Sequence, residues 1–379
     1  MTDWRSEWFE MEDATYLNVA GQGPLPRASV RAAFKAIEWK KFPHQMADSE
    51  TFDLPNRVRA LAARLVGGKA EEIAITTGAT GGLAAVAAGI DWKPDDEVLI
   101  AEGEFPAHFT IFLPLADAGK LRVKVVKPAA RHLVAGDFIE QIGPRTKLIS
   151  TSLVRFDNAA RLDAARVAKA CHDAGAWLLL DAAQCAGAMP IDVKTIGADF
   201  LTASGYKWLL GPYGTGFFWA RSELISQMRP GPFYWLAAFE NSSSFTSLSG
   251  GELQVAPGAR RWDSPETASF LNLFPLEASL EFLLRAGVDT VWKHNQRLIA
   301  QIVERLPLDR CVLGSPRDAE DRGPFVCVTA RKAEATPALF EKLRHERIFV
   351  SLREGALRIA PHLYNSERDI DRLLTALSV

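Results

Sequence analysis

The chain has 379 residues, of which 48% are hydrophobic and 24% charged, and a formal net charge of −2. That length predicts two domains, the balance is that of a globular protein, and the near-neutral charge gives no case for a nucleic-acid partner. No apolar run approaches the ~20 residues that cross a bilayer, and the acidic amino terminus, MTDWRSEWFEMEDATYLN, lacks the apolar core of a signal peptide, so no membrane association and a cytoplasmic location are expected.

In chain order, residues 16–26 (YLNVAGQGPLP) read as a short strand running into a Gly/Pro turn, with helical composition following from Arg27 to Lys41. Such a turn often has only a topological job, but its glycines would also let backbone approach a ligand closely. Residues 54–66 space their apolar side chains as a helix does and stop at Gly67-Gly68. Residues 72–75 read as a strand that opens into Thr76-Thr77-Gly78-Ala79-Thr80-Gly81-Gly82 and then an alanine-rich helix. Strand, small-residue turn, helix is the geometry that offers backbone N–H groups to a phosphate. Neither a Walker loop nor GxGxxG is present, and a tight turn with a threonine cap is the alternative.

Residues 98–100 form the next expected strand. Phe105, just past its end, would lie flat on a planar ligand or simply fill a core. Further strands are expected over 121–126 and 147–151, with a short helix between them over 137–142. A polar loop, 152–163, leads to a helix over 164–174. The run Trp177-Leu178-Leu179-Leu180 then ends abruptly in Asp181, and Asp199-Phe200-Leu201-Thr202 leads into Ser204-Gly205-Tyr206-Lys207. Strands alternating with helices predict a mostly parallel sheet covered on both faces, with ligands at the strands' carboxyl ends. Asp181 and Lys207 stand at two such ends. A carboxylate and a lysine facing one pocket are what pyridoxal phosphate requires: lysine for the Schiff base, the acid to keep the pyridine nitrogen protonated. Taken alone, such a lysine is as readily a solvated surface residue, and such an aspartate a helix cap.

Beyond the glycine-rich turn 211–216 a strand resumes at 217–219. Residues 239–251 are Ser-rich and read as a loop. Arg260-Arg261-Trp262-Asp263 precedes a long amphipathic helix over 269–285. The pattern then changes to a helix over 292–306, strands over 325–328 and 348–351 separated by a helix over 336–345, and Arg358-Ile359-Ala360-Pro361-His362 before a last helix. This predicts a large cofactor-binding domain over 16–268 and a smaller α+β domain from 1–15 plus 269–379. Cys171, Cys185, Cys311 and Cys327 lack CxxC pairing and neighbouring histidines, so neither disulfides nor a metal are expected.

Four elements together, TTGAT at 76–80, DAAQ at 181–184, SGYK at 204–207 followed by GPYGTG, and LRIAPHLYNSERDID at 357–371, resemble the class V aminotransferase family. That family lies within the fold-type I pyridoxal phosphate enzymes and includes cysteine desulfurases, kynureninases and isopenicillin N epimerase. The resemblance covers nearly the whole chain in order and implies an α/β fold-type I architecture. It implies that Lys207 carries the cofactor and moves protons at Cα or Cγ, that Asp181 holds the pyridine N–H, and that Gln184 reaches the ring oxygen. The phosphate would be bound by Ala79, through its N–H, and by Thr80, Ser204 and Tyr206. Desulfurases usually have histidine where Tyr206 stands, and kynureninases resemble this chain there. Phe105 likewise resembles the ring-stacking phenylalanine of kynureninases. Arg358, and beside it Arg353, would clamp a substrate carboxylate, with Gln22, Arg155, Asn158 and Ser242 in the surrounding loops. The Arg261-Trp262-Asp263 segment implies a homodimer in which Thr267 or Ser264 nears the partner's site.

A desulfurase needs a mobile cysteine just before the carboxyl-terminal arginine segment, and residues 344–364 contain none. Kynureninase is suggested by Phe105, Tyr206 and RIAP, but WLLGPYGTG is closer to the desulfurase and epimerase pattern. The expectation is an aminotransferase-like enzyme acting on a small amino acid. The alternatives are a β-eliminating or C–S lyase, then a kynureninase-like hydrolase or an epimerase. A nucleotide-binding oxidoreductase would need a glycine fingerprint that is absent.

Overall fold

The computed structural model describes residues 4–231, 234, 255–267 and 269–378; the Ser-rich stretch 239–251, with Ser242, lies outside the described residues. The strands in chain order are β1 (Thr15–Tyr16), β2 (Ile73–Thr76), β3 (Glu97–Ala101), β4 (Arg122–Val126), β5 (Thr146–Ser152), β6 (Trp177–Asp181), β7 (Phe200–Ser204) and β8 (Gly216–Ala220). In the carboxyl-terminal part follow β9 (Cys311–Leu313), β10 (Val326–Ala330), β11 (Ile348–Phe349), β12 (Ser351–Arg353) and β13 (Ala356–Ile359).

A seven-stranded sheet runs in the order β2-β8-β7-β6-β5-β3-β4. Neighbours are parallel except at β8, which is antiparallel to both β7 and β2. The reversal follows from chain length: only a loop joins Ser204 to Gly216, and a parallel return needs a crossover of a dozen or more residues, usually helical. Both faces are covered, and the period-two pleat sorts side chains between them. Leu178, Leu180 and Leu201 enter a core with Leu54, Val58, Val167 and Leu276, while Leu179, Phe200 and Phe218 enter another with Leu83, Val86 and Phe112. A strand that is apolar at every position is therefore explained by burial on two sides.

The carboxyl-terminal part forms a four-stranded antiparallel sheet, β12-β13-β10-β9, with its own core. That core draws in Leu17 from near the amino terminus. β1 pairs in parallel with β11, and Ala360 and Leu17 exchange a backbone hydrogen bond of 2.8 Å. The long helix Phe270–Ala286 buries Leu273, Phe274 and Leu280 against the large sheet's core, and its Ser279 bonds Ser29 at 2.7 Å. We take the boundary between the two units to run along this helix.

From the small unit the chain turns into the large one. The Gly23 N–H donates to the Tyr206 carbonyl at 2.8 Å, and a Cβ on Gly23 would run into the Lys207 carbonyl oxygen. Only glycine fits that approach. A second long-range link joins Arg59, on the helix Glu50–Val66, to Asp263 in a buried ion pair, with Asp263 Oδ1 also accepting the Ile75 N–H at 2.9 Å. Burial pushes the Asp263 carboxyl up, against the opposing pull of Arg59. Removing one member leaves a buried charge without its partner, so Arg59→Leu is expected to cost about 3–5 kcal/mol. Urea denaturation of the purified variant measures this, and an unchanged midpoint would show that the pair carries no stability.

Candidate active site

β2, β3, β5, β6 and β7 all direct their carboxyl ends to one edge of the sheet, and the reversed β8 brings its amino end there. The edge encloses a cavity of about 270 Å³ lined by Ala79, Thr80, Phe105, Asp181, Gln184, Ser204, Tyr206 and Lys207, among others. The sequence had suggested these residues from stretches far apart, and the fold brings them together at the position where open α/β sheets bind ligands.

Asp181 closes the apolar strand β6 and is buried. Its Oδ1 accepts the Ala183 N–H at 2.7 Å, and its Oδ2 lies 3.8 Å from His108 Nε2. Gln184 has a fixed amide orientation: the Trp208 indole, which can only donate, gives its N–H to Gln184 Oε1 at 3.3 Å, and Nε2 donates to the Ala20 carbonyl at 3.4 Å. The second N–H of that amide is left for a ligand.

At the other end of the cavity the helix Ala79–Gly89 begins. Its N-cap, Gly78, has no side chain to satisfy the first N–H groups. Ser204 Oγ accepts the Ala79 N–H at 3.1 Å, so these two expected phosphate contacts are bonded to each other. The serine hydroxyl keeps its own proton for donation. Thr80 is exposed at the helix start.

Phe105 is 38% exposed, and its ring meets Phe156 edge-on at 5.4 Å. Lys207 Nζ lies 5.5 Å from the centroids of both Phe105 and Tyr206. Tyr206 stacks on Tyr213 at 4.2 Å, and the Tyr213 hydroxyl donates to Gln22 Oε1 at 3.4 Å. Gln22 itself is exposed and is not among the residues lining the cavity.

Lys207 is only 8% exposed. Burial drives its ammonium pKa down to about 8, with Asp181 pulling upward and Arg358 and Arg353 pushing further down. Arg358, on β13, is buried; its Nε donates to Ser351 Oγ at 3.2 Å and its Nη1 to the Phe156 carbonyl at 3.4 Å. Burial lowers its pKa to about 10. Arg353 is exposed and donates to the Leu352 carbonyl. Neither arginine lines the cavity, but both reach it through their field. Thr267 is buried, with its hydroxyl on the Ser264 carbonyl at 2.8 Å, and also lies outside this chain's cavity.

Three neighbours carry no motif in the sequence. Glu104, directly before Phe105, is buried and accepts hydrogen bonds from Phe105 N, Thr151 Oγ1, Ser152 N and Ser152 Oγ. Burial alone would raise its pKa, but the charges of His108 and Arg155 and the Ser152 bonds hold it below the usual carboxylate range. His108 sits under Asp181, and Phe156 lines the wall. The available signal was an acid at a second strand end and a histidine in the first turn of the next helix. All four cysteines are buried, with thiol pKa values pushed up chiefly by burial. Among the described residues no His/Cys/Asp/Glu group could hold a metal ion, and no helix is long and apolar enough to cross a membrane.

The residues fit pyridoxal phosphate on the structure's own terms. A buried amine whose pKa is lowered to about 8, a carboxylate with one free oxygen, an aromatic ring left bare and a helix start whose N-cap glycine offers no side chain all converge on one cavity. A family model described as Aminotransferase class-V matches residues 16–373. The chain is 26% identical over 337 residues to the uncharacterized aminotransferase YcbU of Bacillus subtilis (strain 168), covering 89% of this chain and 84% of that protein. Its fold is similar to a C-DES mutant with glycine covalently linked to the PLP cofactor, at a TM-score of 0.88, 22% identity and coverage of 100% and 99% of the two chains. It is also similar to the cystine C–S lyase C-DES in complex with its reaction product cysteine persulfide, at a TM-score of 0.86, 22% identity and coverage of 96% and 97%.

In the cofactor-free chain, labelling of Lys207 by an amine-reactive reagent should rise with pH and level off above about 8. Exposed lysines should keep rising to about 10. A Lys207 profile coinciding with theirs, read by peptide mass spectrometry, would contradict the depressed pKa.

Proposed function

Because the chain belongs to the class-V aminotransferase family and its cofactor is pyridoxal phosphate, we propose that it is an aminotransferase-type enzyme in which Lys207 moves the proton at Cα of a small amino acid. The observation that carries this reading is the Lys207 amine itself, buried at the mouth of a cavity shared with Asp181 and unprotonated in a substantial fraction near pH 8. Pyridoxal phosphate, when bound, supplies an aldehyde that an amine can capture and a ring that accepts the electrons left at Cα. Asp181 would hold the pyridine N–H, and Gln184 would donate its second amide N–H to the ring oxygen. Phe105 would fix the ring plane through its bare face, contributing ~1 kcal/mol. Ser204, Tyr206, Thr80 and the start of the helix at Ala79 would hold the phosphate.

Arg358 is the candidate for the substrate carboxylate, because it is buried and bonded to Ser351 and to the carbonyl of Phe156, a residue of the cavity lining, whereas Arg353 is exposed. Guanidinium matches a carboxylate's two oxygens in a planar fork. Gln22, linked to Tyr213, would border the entrance. The 270 Å³ cavity must also admit the cofactor, which supports a small substrate. A homodimer with Thr267 near the partner's site is part of the same proposal.

A β-eliminating reading is the alternative. It is supported by the similarity to a C–S lyase, and it needs the same base at Cα with a leaving group at Cβ. The buried cysteines argue against a persulfide carried on this chain.

The purified holoenzyme should show a visible band that borohydride reduces, fixing the cofactor on Lys207, and Lys207→Ala should abolish turnover. Undiminished turnover in that variant would refute the role of the lysine. Product analysis across amino acids separates the readings: keto acid with pyridoxamine phosphate for transamination, pyruvate with ammonia or sulfide for elimination. Arg358→Leu is expected to raise KM for the preferred amino acid roughly tenfold to a hundredfold, the range of a lost charge-assisted bond. An unchanged KM would move the carboxylate site elsewhere.

A further inference from the structure

His108 lies in the first turn of the helix Pro106–Asp117, directly behind the cavity wall, and is completely buried. Its Nδ1 shares a 2.8 Å hydrogen bond with Ser150 Oγ on β5. Its Nε2 has no hydrogen-bond partner and lies 3.8 Å from Asp181 Oδ2. Asp181 Oδ1 is already engaged by Ala183. The buried imidazole thus leaves one nitrogen unspent, and the nearest acceptor facing it is the carboxylate oxygen that the cofactor also needs.

We propose that His108 is a positioning residue for the reaction: held by Ser150, it directs an Nε2–H at Asp181 Oδ2 and keeps that carboxylate anionic, so that the shared proton stays on the cofactor's pyridine nitrogen. A carboxylate that accepts a second donor is a poorer competitor for the proton between itself and the ring. The surroundings favour this arrangement. Glu104, on the turn after β3, adds a second negative charge near the imidazole, and its four donors together with Arg155 keep it ionised. Lys207 and Tyr206 act on Asp181 from the cavity side. The inference rests on the reading that Asp181 meets the pyridine nitrogen.

The test uses the full-length holoenzyme loaded with cofactor labelled with nitrogen-15 in the ring, read by NMR, together with the cofactor dissociation constant. In the wild type the ring nitrogen should be protonated; an unprotonated ring there would overturn the Asp181 reading and this inference with it. In His108→Leu the signal should move toward the unprotonated value, with cofactor affinity weakened on the order of tenfold, the equivalent of one unit in the proton equilibrium. His108→Gln, which can place an amide N–H near the Nε2 position, should restore both. A protonated ring in His108→Leu, with only a lowered melting temperature, would overturn the role of His108 while leaving that of Asp181 intact. Should His108→Leu fail to fold, the histidine nitrogen-15 spectrum of the wild type decides: a proton on Nε2 is expected, and a lone proton on Nδ1 refutes the inference.

Discussion

The desolvation of one lysine amine organises this structure. Moving the Lys207 pKa from 10.5 to about 8 corresponds to about 3 kcal/mol favouring the neutral amine, and the fold must hold the group in place against the pull of water. It does so by ending β7 at Ser204, three residues before the lysine, stacking Tyr206 on Tyr213 and packing Gly23 against the lysine's own carbonyl. The reversed strand β8 starts at the same edge, so the loop between them can fold over the amine. Arg358 and Arg353 push the charge balance toward the neutral form, and Asp181 opposes them.

The two buried acids at this edge illustrate how lone-pair accounting separates structure from chemistry. Glu104 has both oxygens filled by main-chain and hydroxyl donors. It anchors the ends of β3 and β5 to each other and has nothing left to offer a ligand. Asp181 has one oxygen engaged by a neighbouring amide and the other facing the cavity and His108. The same residue chemistry at equivalent strand ends thus serves two ends, decided by which donors surround it.

Much of this was legible in the sequence. Runs such as Trp177–Asp181 are apolar throughout because both sheet faces are buried, and their abrupt polar ends mark the edge where ligands bind. The cluster of Ala79, Phe105, Asp181, Gln184, Ser204 and Lys207 followed from short motifs in order. What escaped reading were contacts between unremarkable residues far apart. Arg59 and Asp263 are separated by 204 positions, and Ser204 meets the Ala79 amide across 125. His108 gave no pattern of its own, because its meaning depends on its approach to Ser150 and Asp181, residues 42 and more positions away. The pairing of β1 with β11 was hidden for the same reason: strands of two residues carry no periodicity.

The amino-terminal segment joins distant parts of the molecule along a traceable line. Two residues beyond Arg358, Ala360 is hydrogen-bonded to Leu17; six residues later Gly23 is bonded to Tyr206, which precedes Lys207. This stretch acts as a ruler. It sets the span between Arg358 at one end and the Lys207 amine at the other. Lengthening that stretch by one residue would change the spacing of the two groups without substituting either of them.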